Sequence, residues 1–102
     1  MDMSALYSVL AQGLLTICPG SFSSAVIDAE LKDDWSNTVY RCETASGWSK
    51  GLPVQASVDF KVDDALHAIR KQMTIPGQTP WSRCTFTLFP DGKFKFDVEY
   101  DD

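Results

Sequence analysis

The segment from Cys84 to Tyr100 constrains the fold more than any other stretch of this chain. Cys84, Phe86 and Leu88 share one face of a strand. Pro90-Asp91-Gly92 supplies a turn, and Phe94, Phe96, Val98 and Tyr100 share one face of the return, with Lys93, Lys95, Asp97 and Glu99 facing outward. Two period-two runs joined by a short turn read as an antiparallel hairpin with one apolar and one charged face. Gly92 is expected to supply the positive φ of the turn.

Upstream, the period is first helical. Met3, Leu6, Tyr7, Leu10, Leu14 and Ile17 recur at spacings that place them on one face of a helix. Asp2 or Ser4 can cap its start, and Pro19-Gly20 ends it. Gly13, inside it, costs about 1 kcal/mol relative to Ala, so it either permits close packing or is simply tolerated. From Phe22 the period changes to two. Ala25, Ile27, Ala29 and Leu31 alternate with Val26, Asp28, Glu30 and Lys32, as a half-buried strand requires. A turn at 33–37 precedes a returning strand, Thr38 to Thr44, and a loop bracketed by Gly47 and Gly51 follows. Val54, Ala56, Val58, Phe60 and Val62 alternate with polar residues, which predicts a third strand. Asp63 or Asp64 then caps a second helix, Ala65 to Met73, with Val62, Leu66, Ile69 and Met73 as its apolar stripe and His67 directed away from it. The expectation is one α+β domain over residues 1–102: a mainly antiparallel sheet of four or five strands with two helices packed on one face.

Catalytic chemistry finds little support. A thiol with the single His67 is the only conceivable nucleophilic pair, and no cysteine sits in a glycine-rich or helix-start context that would activate it. There is no Cys-x-x-Cys, no second histidine and no phosphate-binding glycine loop, so neither a metal nor a cofactor is expected. Cys18, Cys42 and Cys84 are far apart and odd in number, which suggests free, buried thiols in a reducing compartment. Met1-Asp2-Met3-Ser4 lacks the positive head of a signal peptide, and no apolar run approaches a membrane span.

Charge carries more information. Fourteen acids against nine bases give a net charge of −5, the wrong sign for holding phosphates or an anionic membrane. A basic protein partner is favoured instead. Asp28, Glu30, Asp33 and Asp34 cluster near Trp35, and Asp91, Asp97, Glu99, Asp101 and Asp102 crowd the C-terminus. Asp33, Asp34, Asp97, Glu99, Asp101 and Asp102 are the candidate partner-binding residues, with Trp35 as an aromatic anchor. The competing reading is a solvated face, with Trp35, Trp48 and Trp81 closing the edges of a small core.

The C-terminal stretch, from Trp81 through the Asp91-Gly92-Lys93-Phe94 turn to Tyr100-Asp101-Asp102, resembles the ending of YezG-like immunity proteins. Ile17-Cys18-Pro19 followed by Phe22, and the strand Ala25 to Leu31 carrying Glu30, are similar to earlier segments of that family. The resemblance implies a cytoplasmic, non-catalytic antitoxin of a polymorphic or contact-dependent bacterial competition system. It would bind the toxic domain of a cognate effector, often a nuclease. Trp81, Gly92, Phe94, Phe96 and Tyr100 would then specify the fold and not the partner. A small acidic adaptor or chaperone-like module without antitoxin activity is the alternative.

Overall fold

The computed structural model describes residues 2–18, 20–50 and 52–100. Helix α1 (Met3–Ile17) leads into strands β1 (Ser24–Leu31), β2 (Ser36–Thr44) and β3 (Gly47–Lys50). Helix α2 (Ala56–Met73) then crosses over to the hairpin β4 (Arg83–Leu88) and β5 (Phe94–Glu99). The strands form one fully antiparallel sheet in the order β3-β2-β1-β4-β5, so β1 lies at its centre. This is the expected α+β fold, with five strands.

The period-two pattern decides which side of the sheet the helices cover. Ala25, Ile27, Ala29 and Leu31 of β1 join Tyr40, Cys42, Cys84, Phe86 and Leu88 in a single core with Leu6, Leu10 and Leu14 of α1 and Val62, Leu66 and Ile69 of α2. Full burial of each large aliphatic side chain stabilises the fold by about 1.5–3 kcal/mol relative to exposure. Tyr7 reaches β5, its ring centroid 4.9 Å from that of Phe94 and 5.5 Å from that of Phe96. At the start of α1 the Asp2 carboxylate accepts the Ala5 backbone N–H at 2.8 Å, which settles the cap on Asp2. Gly92 has φ 88°, and the Phe89 carbonyl accepts its N–H at 3.0 Å, closing the hairpin turn. Pro19 lies outside the described residues.

The third strand is not where the alternation put it. Residues 56–62 are the first two turns of α2, and the extra strand is the short Gly47–Lys50. Over so few positions both periods fit, because Val54, Val58 and Val62 are four apart as well as evenly spaced. Burial separates them: Val62, Ala65, Leu66 and Ile69 are buried at helical spacing, while Phe60 is 71% exposed where a strand would have turned it inward with Val58. Asp63 and Asp64 are therefore interior to the helix, and Gln55 occupies the N-cap without a side-chain hydrogen bond.

The cysteines also differ from expectation. Cys18 and Cys42 form a disulfide, and only Cys84 is free. The bond ties the C-cap of α1 to the C-terminal part of β2, with Cα atoms 5.8 Å apart and a sequence separation of 24. A disulfide argues against three reduced thiols as the state of the folded chain.

Gly13 is a close-packing point. A Cβ there would stand 2.7 Å from Cγ2 of Val62, a fully buried side chain of α2. Gly13→Ala adds about 1 kcal/mol of helix propensity, but it overpacks the helix contact at a typical cost of about 1–3 kcal/mol. We expect a net loss of stability in urea unfolding, largely relieved in Gly13→Ala/Val62→Ala. A Gly13→Ala variant more stable than the parent would remove the packing role.

Candidate functional site

With both helices on one face, the other face of the sheet is open, and its residues follow from the register. Glu30 of β1 lies between Asn37 and Arg83, with Glu99 beyond on β5. One row along, Asp28 lies between Val39 and Thr85, with Asp97 beyond, and the next row runs Arg41, Val26, Thr87 and Lys95. The central strand thus contributes two carboxylates and the edge strand two more.

The two arginines on this face are already engaged. Arg41 Nε is 2.5 Å from an Asp28 oxygen, and the Thr85 hydroxyl donates to the other oxygen at 3.3 Å. The Arg41 guanidinium also stands 5.0 Å from the centroid of Trp48, a half-exposed ring on β3. Arg83 Nε lies 3.4 Å from Glu30. Asp97 and Glu99 are exposed and, among the described residues, have no ion-pair partner. The carboxylates of the open face that are free of ion pairs are therefore at the C-terminal end of β5.

The two predicted acidic clusters meet at one end of the sheet. β1 and β5 run in the same direction with β4 between them, so the β1–β2 turn and the end of β5 are neighbours. The Leu31 N–H donates to the Ser82 carbonyl at 2.8 Å and the Ser82 N–H to the Glu99 carbonyl at 2.9 Å, which stitches the three strand ends together. Strand spacing puts Glu99 about 10 Å from β1 across the sheet. Asp34 is exposed in the turn and Trp35 is 46% exposed beside it. Asp33 is exposed too, and one of its oxygens accepts from Arg70 Nη1 at 3.1 Å. Arg70 also donates through Nε to the Trp81 carbonyl at 2.7 Å, so it anchors both the turn and the approach to β4. Asp101 and Asp102 lie outside the described residues.

Sequence reasoning missed the part played by Arg41, Arg83 and Trp48. Trp48 was expected in a loop and not on a strand, and the partners that occupy the arginines come from other strands. Of the three tryptophans only Trp81 closes the core, at 1% exposure, while Trp35 and Trp48 are surface rings.

The remaining polar groups serve the scaffold. The Tyr40 hydroxyl donates to Asp59 at 2.7 Å and the Ser36 hydroxyl donates to Asp63, which fixes α2 to β2. Burial, then the neighbouring carboxylates, pushes the Tyr40 hydroxyl pKa upward. His67 Nε2 sits 3.6 Å from Asp63 one turn away. Burial pushes the Cys84 thiol up to about 12, with Asp28 adding to the effect, which is the opposite of an activated nucleophile. Among the described residues no three His, Cys, Asp or Glu side chains converge as a metal site would require, and no helix is long and apolar enough to cross a membrane.

The sequence as a whole points the same way as the hairpin. The immunity protein YezG of Bacillus subtilis (strain 168) is 25% identical over 112 aligned residues, which cover 98% of this chain and 74% of that protein. A family model described as immunity protein YezG-like matches residues 3–102, from the first residue of α1 through the β4–β5 hairpin to the C-terminal acids. With the match spanning every element of the fold, the chain belongs to the YezG-like immunity protein family.

Proposed function

We propose that this protein is a cytoplasmic antitoxin that binds the toxic domain of a cognate effector and blocks it without catalysis. The toxin is a basic nuclease of a polymorphic or contact-dependent competition system. Membership of an immunity protein family supports a toxin partner. The observation that supports this particular surface is the convergence of Asp34, Asp97 and Glu99 with the half-exposed Trp35 at one end of the sheet. Nucleases that grip phosphates carry lysine and arginine in their clefts, so a carboxylate-lined end complements them in sign. Charge steers the encounter and the indole ring supplies a desolvated anchor.

The test is growth rescue. The toxic domain encoded beside this gene is induced in a sensitive host with and without the protein, and the complex is recovered from the lysate. Rescue with a stable complex is the expected result. Toxicity without rescue would overturn the antitoxin reading and favour an adaptor. Reversing Asp97, Glu99 and Asp101 together to Lys is expected to slow association about tenfold or more at low salt and to flatten its salt dependence. An on-rate unchanged by that triple variant would remove this end of the sheet from the interface.

A further inference from the structure

The charge order along the free edge of β5 fits a second copy of the same strand. Among the described residues β5 is bonded to β4 on one side only. The carbonyls of Lys93 and Glu99 point toward β4, where they accept from Phe89 and Ser82. Pleating then turns the N–H and C=O groups of Phe94, Phe96 and Val98 toward the open edge. Natural edge strands are commonly guarded by proline, a bulge or an inward-pointing charge. Phe94–Glu99 has none of these and is guarded by its outward charges alone, Lys95 among them: its register with β4 is unbroken and its inward residues are Phe94, Phe96 and Val98.

Its outward charges change sign at the middle of the strand. Lys93 and Lys95 precede Phe96, and Asp97 and Glu99 follow it. When two such strands pair antiparallel about a two-fold axis at Phe96, Lys95 faces Asp97 of the second copy and Lys93 faces Glu99, each twice by symmetry. On the helix-covered face Phe96 meets Phe96 and Phe94 meets Val98. Centres at Phe94 and Val98 set Lys93 against Lys95 and Asp97 against Glu99, each twice, while centres at Lys95 and Asp97 set that residue against its own copy beside two opposite-charge pairs, Lys93 with Asp97 or Lys95 with Glu99; within residues 93–99 only the centre at Phe96 opposes no like charges. Like charges directly opposed destabilise a strand pair, whereas opposite charges support it. Phe94, 44% exposed at the edge, would also be covered.

We propose that β5 joins two copies of this chain into a continuous ten-stranded antiparallel sheet with its two-fold axis at Phe96. Six residues of strand span about 20 Å, a contact smaller than a standard stable interface, so the association is weak and reversible. It does not depend on toxin binding, and no toxin enters its test.

The experiment is sedimentation velocity on the full chain from micromolar to millimolar concentration. The parent is expected to shift from monomer to dimer. Lys95→Asp makes both central pairs acid against acid, and Asp97→Lys makes both lysine against lysine. Each single variant is expected to weaken dimerisation about tenfold or more, and Lys95→Asp/Asp97→Lys to restore it to within about threefold of the parent. Far-UV circular dichroism and an unchanged Tm confirm that these exposed substitutions leave the fold intact. A parent that stays monomeric at millimolar concentration overturns the proposal and leaves the edge to a strand of another protein. Single variants that dimerise like the parent, or a folded double variant that remains monomeric, overturn it as well.

Discussion

Reduction of the Cys18–Cys42 disulfide is expected to lower the thermal midpoint of this protein by about 12–24 °C. The bond closes a loop with a sequence separation of 24 residues between the end of α1 and the C-terminal part of β2. Cross-linking a loop of that size removes denatured-state entropy worth about 3 kcal/mol. In a domain of this length each 1 kcal/mol moves Tm by about 4–8 °C. Both sulfurs are buried in the core, so the reduced state is best prepared by unfolding in reductant and refolding without oxidant. The variant Cys18→Ala/Cys42→Ala is expected to melt near the reduced parent and to ignore reductant. A parent whose Tm is the same in both redox states would mean that the core alone sets its stability. The result also bears on where the protein works. If the reduced form remains folded at growth temperature, a reducing cytoplasm is compatible with function, and the disulfide adds a reserve of stability outside it.

How much of this was legible in the residues depends on the range of the interaction. Helix α1 and the β4–β5 hairpin were readable because one period governs each of them over many positions, and because Asp2 and Gly92 act within a few residues. The start of α2 was not readable, since Val54, Val58 and Val62 satisfy both periods and only the exposure of Phe60 tells them apart. β3 escaped because four residues between glycines carry too little pattern. The disulfide escaped because its partners meet only when the folded sheet brings Cys42 of β2 beside the C-cap of α1. The candidate surface shows the same division. That Asp33, Asp34, Asp97 and Glu99 are exposed acids was legible. That the two acidic clusters share one end follows from β1 and β5 running in the same direction on either side of β4, which topology alone decides. The engagement of Arg41 with Asp28, and of Arg83 with Glu30, depends on strand order too.

Trp81→Ala is expected to destabilise the fold by about 3–5 kcal/mol, the range for truncating a large buried aromatic. Trp81 fills the core beside Phe96, with ring centroids 5.8 Å apart in an edge-on arrangement, and its carbonyl receives the Arg70 side chain. Trp81→Phe should cost much less, and the reason lies in the indole nitrogen. Nε1 is buried and, among the described residues, has no hydrogen-bond acceptor. An unsatisfied buried donor costs about 1–3 kcal/mol, so phenylalanine removes that penalty while giving up part of the ring's packing. The pair of variants also separates a scaffold role from a binding role. If Trp81 specifies the fold, Trp81→Phe retains toxin protection whenever it retains stability, and Trp81→Ala loses both together in urea unfolding and growth rescue. If instead Trp81→Phe is fully folded and fails to protect, the side chain contributes directly to the partner surface, and the acidic end of the sheet is no longer the whole of it.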